Sequence, residues 1–411
     1  MAHACVVFED PFVDRLRPIN LARPTFSITC GAYTLGQLLK DLGLPIHCHV
    51  RPHLRAIVER DGYALAEEVQ GPILYVNAAM LPDLKFIARL KELVAQKEPF
   101  MAVSDQRVTA AWCPNDYPTA LAMRNAAELQ SFILERRLPT IEDEFTTLEH
   151  TFDVTRYHEA LLPSHLEHLI DRGSFHTIAE NVHVGKGADI ASNVVFDTDD
   201  GPIVLGDNIR IRPFSYLAGP VRVGSNSLII DHSSIKHGTV LGHTVKAGGE
   251  IEAAIIEPYS NKQHHGFLGH AYVGSWVNLG AGTSNSDLKN TYGEISIDAD
   301  GRSLPTRLQF LGCVIGDYTK TAINTSIFTG KLIGVASFLY GFISTNVPSF
   351  TNYARSFGQV TEVSVDVAIK TQTRAASRRK VTMTSADTLL MQELFELTRP
   401  ERQLSSEQVV L

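Results

Sequence analysis

The side chains best suited to chemistry gather in one stretch. His264 and His265 stand together in a polar loop, just ahead of Phe267-Leu268-Gly269. An imidazole titrates near neutral pH and can take a proton from an attacking nitrogen; the competing reading of two adjacent loop histidines is plain solvation. Further on, Asn278-Leu279-Gly280-Ala281-Gly282-Thr283 is a run of small residues that either lets a backbone approach a ligand or simply turns a repeat. His232 and His237, in His-Ser-Ser-Ile-Lys-His-Gly, add two imidazoles of a kind that binds zinc, though a zinc site needs at least three protein ligands. His232, His237 and His243 are therefore read as surface or interface residues, and no metal site is expected.

These residues sit on a repeat. From Leu205, steps of six residues reach Ile211, Leu217, Val223, Ile229, Ile235, Leu241, Ala247 and Ala253, all aliphatic. The register resumes at Phe267, Val273 and Leu279, and again at Ile315, Thr321, Ile327, Ile333 and Leu339. A hexapeptide repeat of this kind predicts a parallel β-helix whose marked side chains point into a three-sided prism. Two polar segments, Glu257 to Gly266 and Ser284 to Gln309, interrupt the period and are expected to leave the prism as functional loops. A purely structural solenoid is the competing reading.

Ahead of the repeat, residues 1 to 115 alternate apolar runs with helix-like stretches and predict an α/β domain with a parallel sheet. Ligands bind such sheets beyond the carboxyl ends of their strands, which nominates Glu9, Asp10 and Asn77. Residues 116 to 175 read as linking helices, Ala120 to Arg137 and Ala160 to Asp171, the latter with Pro163 near its start. The β-helix is expected over 176 to 365. A tail over 366 to 411 carries a basic cluster (Arg374, Arg378, Arg379, Lys380) and an amphipathic helix, Ser385 to Leu397, capped by Ser385.

Composition narrows the function. Against 37 Lys and Arg stand 45 Asp and Glu, a net charge of −8, so neither nucleic acid nor an anionic membrane is the expected partner. Five scattered cysteines with no paired spacing argue for a reducing compartment. The first ten residues lack the pattern of a secretory signal, and no apolar run is long enough to span a membrane. A soluble, cytoplasmic protein is the expectation.

The stretch Leu241 to Thr283, with Ser286-Asp-Leu-Lys-Asn-Thr-Tyr-Gly293, resembles the bifunctional UDP-N-acetylglucosamine pyrophosphorylase/glucosamine-1-phosphate acetyltransferases, and more closely an alternative bacterial branch described as sugar nucleotidyltransferases. The resemblance implies a left-handed β-helix, a homotrimer, and acetyl-CoA as co-substrate. It places the catalytic base on His264, with His265 beside it. It places the sugar site on Asn278 and Phe267, and the coenzyme A channel along Gly280, Ala281, Gly282 and Thr283. Two positions depart from the pattern. Glu252 stands where the family has a phosphate-binding Lys, and Asp287 stands where it has an Asn; a carboxylate there repels a sugar phosphate. Lys246, Lys262, Lys289 or Arg307 could restore the positive charge.

The N-terminal domain departs further, with Pro11 to Pro24 replacing the family's glycine-rich phosphate loop. Arg17, Arg23 and Gly31, with Asn77, are the candidates for a different nucleotide cradle, and Mg²⁺ is expected only if that domain is active. The reading is an N-acetyltransferase of amino-sugar phosphates or nucleotide-linked amino sugars. Nucleotidyl transfer is a possible second activity, and a non-catalytic nucleotide-sugar binder is the alternative. A metalloenzyme is a minor one: His232 and His237 resemble the spacing of hexapeptide-repeat carbonic anhydrases, but the third histidine that resemblance implies, roughly two coils upstream, is absent at Phe196-Asp-Thr-Asp, and His183 lies too far back.

Overall fold

A computed structural model describes residues 4–69, 71–114, 119–120, 125–142, 144–299 and 301–404, which form two units, 1–151 and 152–411. The expected boundary near 115 lies outside the described residues. The first unit runs on to 151 because Met101 bridges to Thr140 and Met80 to Thr147, so the chain pairs back onto the domain it was expected to leave.

The first unit is built on a six-stranded sheet in the order Ala64–Leu65, Ile46–His49, Ala4–Phe8, Ile73–Asn77, Arg107–Cys113, Phe100–Ser104. Ala4–Phe8 and Ile73–Asn77 are buried throughout, as central strands covered on both faces must be. The sheet is not wholly parallel. Ser104 pairs with Arg107, and the two residues between them, Asp105 and Gln106, both take left-handed conformations (φ 46° and 66°). That is the geometry of a tight hairpin turn, and it makes the last two strands antiparallel.

The second unit opens with the helix Asp153–Arg172, which begins seven residues before the expected Ala160 and carries Pro163 in its interior. It leads into a left-handed parallel β-helix. Each coil lays one short strand on each of three faces. The first face runs through Ile203–Leu205, Val221–Val223, Thr239–Leu241, Ile255–Ile256, Tyr272–Val273, Val314–Ile315 and Leu332–Ile333. The second includes Arg210–Ile211, Leu228–Ile229, Lys246–Ala247 and Asn261–Lys262; the third includes Tyr216–Ala218, Ser234–Ile235, Glu250–Glu252 and Phe267–Gly269. Inward aliphatic side chains stack coil on coil, for example Leu205 on Val223 on Leu241 on Ile256. At the edge joining the first face to the second, Asn208, Asn226, Thr244, Tyr259, Trp276, Tyr318, Ala336 and Phe350 all have φ between 53° and 67°. Side chains with a Cβ resist that conformation, and the stacked coils hold it in place.

The hexapeptide register holds as far as Ala247 and then slips. Gly248 and Gly249 shorten one turn, so Ile251 takes the inward place opposite Ile235 and Ala253 becomes a corner residue at φ 46°. Phe267 correspondingly faces outward while Leu268 enters the core. Glu257 to Gly266 does not leave the prism, since Asn261–Lys262 pairs with Lys246–Ala247 on the second face. The other interruption does leave, from Ser286 onward. It forms the hairpin Ile295–Ala299 with Arg302–Leu308, packed by Ile295 and Ile297 on Phe152 and Leu311. In the tail, Thr384 rather than Ser385 caps the last long helix, through a capping box with Asp387.

Candidate active site on the β-helix

The expected site residues fall on two edges and two faces of the prism. His264 and His265 lie exposed at the edge between the second and third faces. The Gly282 amide donates to the His265 carbonyl (3.1 Å), and a side chain on Gly282 would lie 3.2 Å from His265 Nε2. This edge therefore brings His264 and His265 together with Gly280–Thr283, as expected. Its amides are occupied, however. Gly280 N–H donates to Thr321 Oγ1 (2.9 Å) and Thr283 N–H to the Gly280 carbonyl (3.0 Å), so small size, not free amides, is what the run offers a ligand.

Neither loop imidazole has a hydrogen-bond partner among the described residues. The loop itself is anchored from inside by Lys262. This side chain points into the prism, opposite Ala247, and is 1% exposed. Its Nζ donates to the carbonyls of His264 (2.6 Å) and Gly248 (3.0 Å), and burial pulls its amine down to about 8. Lys262 thus cannot supply charge to a substrate on the outer surface.

Asn278 lies exposed on the second face, where its Oδ1 accepts from Asn261 Nδ2 (3.2 Å). It is apart from Phe267 and Glu252, which face outward on the third face. Arg379 donates to Asn261 there, and Arg378, Arg379 and Arg210 all depress the neighbouring Lys246, after desolvation as the main cause. Phe267 lays its ring against Gly269, the position at which a side chain would also strike Asp287. Lys289 donates to the Glu294 carbonyl (2.6 Å) within the excursion, and Arg307 is exposed on its hairpin.

Both departures from the family pattern have partners at the edge between the third and first faces. Glu252 lies 3.2 Å from Lys236 and 3.6 Å from His237. Asp287 Oδ2 lies 2.8 Å from Nδ1 of His270. Beside them runs the helix Asp153–Arg172. Its buried His158 holds the Gly238 carbonyl through Nε2 (2.7 Å) and is pushed down to about 4 by desolvation, so it is neutral. Glu159 and Leu162 of that helix line a pocket with Asp200, Pro220, His237 and Gly238. Sequence reasoning missed His270 and Glu159, because 111 residues separate them and only the coil geometry joins them. His232 and His237 lie on opposite sides of Ser234–Ile235, at different edges, with His232 stacked on Phe214 (5.1 Å between ring centres). His243 rests edge-on against Tyr259.

In the first unit the expected cleft residues are turned inward. Asn77 is fully buried: Nδ2 donates to Asp10 (2.7 Å) and to the Val108 carbonyl (3.0 Å), and Oδ1 accepts from Ala79 N–H (2.9 Å). Asp10 also takes Arg107 (2.6 Å) and caps Phe12 N–H. Glu9 accepts from Thr25 and, through both oxygens, from Arg51. Burial would raise the Glu9 carboxyl, but Arg51 outweighs it and holds it below the usual range. With all four oxygens committed, Glu9 and Asp10 do not fit a Mg²⁺ site, and Asn77 has no group left for a nucleotide. Arg17 pairs with Asp14 on the surface (2.9 Å), and the Arg23 carbonyl faces Arg51.

Known proteins resemble parts of the sequence. Residues 5–172 match the family model for sugar nucleotidyl transferases. An uncharacterized acetyltransferase, YaiX, from Escherichia coli is 29% identical over 170 residues, 40% of this chain and 74% of its own. A bifunctional sugar-1-phosphate nucleotidylyltransferase/acetyltransferase from Sulfurisphaera tokodaii is 28% identical over 142 residues, 34% of this chain and 35% of its own. The bifunctional protein GlmU of Trichodesmium erythraeum is 33% identical over 158 residues, 38% of this chain and 25% of its own. The chain thus spans about a third or less of these two bifunctional relatives. Among solved structures, the UDP-N-acetylglucosamine acyltransferase of Francisella novicida aligns over 57% of this chain and 94% of its own at 15% identity, with a TM-score of 0.29. Residues 5–172 are thus similar to sugar nucleotidyl transferases, and a stretch of the chain is similar to a protein named as a bifunctional sugar-1-phosphate nucleotidylyltransferase/acetyltransferase.

Proposed function

We propose that this protein is a transferase that moves an acyl group from acetyl-CoA to the amine of a sugar phosphate or nucleotide-linked sugar on its β-helix. The observation that carries this reading is the edge where His264 and His265 meet the Gly280–Thr283 turn. Small residues there leave room for a thin pantetheine arm to pass the two imidazoles on its way to the third face. The relatives named as acetyltransferases support the same reaction class. We place acetyl-CoA along this edge and the sugar on the adjoining third face, across Phe267 and Gly269. Trimeric assembly in the cytoplasm belongs to the same proposal.

The first unit serves this reading as a nucleotide-sugar-binding domain rather than a second catalyst. What favours that role is the commitment of Glu9 and Asp10 to Arg51 and Arg107, since phosphoryl chemistry with a metal needs free carboxylate oxygens. The test is release of free coenzyme A from acetyl-CoA across a panel of amino-sugar phosphates and UDP-linked amino sugars. Turnover with at least one acceptor, and a raised KM for acetyl-CoA in His264→Ala, is the expected result. Silence with every acceptor, from a folded protein that still binds a UDP-sugar by calorimetry, would replace transfer with binding.

A further inference from the structure

His270 is held far more firmly than the two loop histidines. It sits at a corner with φ 45°, and its side chain is 15% exposed. Nδ1 meets Asp287 Oδ2 at 2.8 Å, and the ring stacks on Phe310 with 5.2 Å between centres. Asp287 and Phe310 are the two ends of the excursion, which closes where Leu311 N–H donates to the Asp287 carbonyl (2.8 Å). The root of the excursion therefore builds an oriented His–Asp pair.

An ionised carboxylate only accepts, so Asp287 fixes the imidazole proton on Nδ1 and leaves the lone pair on Nε2. Nε2 faces Glu159 Oε1 at 3.7 Å. That gap is too long for a hydrogen bond, and two acceptors facing each other repel. A group with two or more N–H donors, placed between them, satisfies both. Glu159 also lines the pocket beside His237 and Gly238, which gives such a group a way in. The nearest cation at this edge, Lys236, is already bound by Glu250 and Glu252. The edge therefore suits an amine and repels a phosphate.

We infer that His270, oriented by Asp287, is the general base of the acyl transfer, and that the acceptor presents a primary amine to Nε2 and Glu159. The inference rests on the acyl-transfer reading above. The neutral amine nitrogen attacks the thioester carbonyl carbon; the N–C bond forms as the C–S bond breaks, and the surplus amine proton passes to Nε2. The thiolate leaves with the electron pair and is protonated to coenzyme A, which returns His270 to its neutral form. Besides Asp287 and Glu159, the described titratable groups around His270 include Glu252 on the adjoining coil and His158, which burial keeps neutral.

His270→Asn is the decisive variant, because Asn tolerates a left-handed corner. In the coenzyme A release assay it should lower kcat by about 10²–10⁴-fold, the range for loss of a general base, while its melting temperature stays near wild type. Asp287→Asn, a positioning variant, should lower kcat with KM unchanged. Glu159→Gln should chiefly raise KM for the amine. Undiminished turnover in a folded His270→Asn protein overturns the inference while leaving acyl transfer intact. A second measurement stands apart from turnover: calorimetry with glucosamine and with N-acetylglucosamine. Binding of the free amine alone, weakened at least tenfold by Glu159→Gln, supports the amine site even if no acceptor turns over. Equal binding of both sugars, or of neither, overturns it.

Discussion

Lys262 puts a charged amine at an inward position of the prism, between two aliphatic neighbours. Ala247 lies below it and Leu279 above, and its two hydrogen bonds go to backbone carbonyls at the loop carrying His264. Burial holds the folded-state amine at about 8, against about 10.5 in the unfolded chain. At neutral pH this costs about 3 kcal/mol. Between those two values the unfolded chain binds the extra proton, so stability rises as pH increases from about 8 to about 10.5. Lys262→Met should therefore raise the melting temperature at pH 7 and flatten that alkaline rise, followed by calorimetric scans at several pH values. The same variant releases the His264 carbonyl and should raise KM for acetyl-CoA. The position shows how far a repeat can be read. The hexapeptide period identifies inward sites as far as Ala247, but Lys262 lies past the slip at Gly248 and Gly249, in a segment expected to leave the prism, so its inward place was not legible. The same limit applies to Asn285, buried inside and bound to both N–H and carbonyl of Gly269.

At the scale of elements, the helix Asp153–Arg172 is the piece that converts a uniform solenoid into a site. Its spacing of apolar residues was legible in the sequence, but Pro163 misled the placement of its start. Proline is common in the first turn and costly in the interior, and here burial of Val154, Leu161, Leu162 and Leu166 holds the helix across it. What the sequence could not offer was the contact of His158 with Gly238, 80 residues away. The hydrogen-bonded ring must be neutral to stay buried. Its folded-state value near 4 lies below the unfolded 6.5, so the unfolded chain gains the proton first as pH falls. Stability should drop progressively from about pH 6.5 to about 4, by about 3 kcal/mol in all. His158→Gln should flatten that acid slope in urea titrations run across the range. A slope unchanged in the variant would assign the acid sensitivity elsewhere. Glu9 and Asp10 illustrate the same limit in the first unit. Both stand at the end of a strand, where ligands bind such sheets, and the arginines that occupy them come from 42 and 97 residues away.

For the molecule as a whole, the chain carries two units of different construction. In one, a hydrophobic sheet core is stabilised at its strand ends by buried ion pairs. In the other, each coil rests only on its neighbours, and stability accumulates coil by coil. Exposed aromatic and aliphatic residues recur on the upper third face and its edge, with Ile323 68%, Phe328 47% and Phe342 63% exposed. On the trimeric reading proposed above, these side chains would lie at the contact between copies. Light scattering at micromolar concentration should return three times the 45.2 kDa chain mass, and a charged substitution at Phe342 should shift the protein toward monomer.

The excursion between Ser286 and Phe310 carries a consequence of another kind. The coils before and after it stack directly, with Tyr272–Val273 paired to Val314–Ile315 as though nothing intervened. The hairpin is therefore an insert whose two ends meet at one doorway, where Asp287 and Leu311 pair, while its apolar residues rest on Phe152 and Leu332 outside it. Such a doorway lets evolution exchange the whole insert, and with it the roof over His270, without re-registering a single coil. A foreign hairpin grafted between those two residues would inherit the coil pairing, but it would have to rebuild the contacts that Phe152, Arg156 and Asn346 make with the present one.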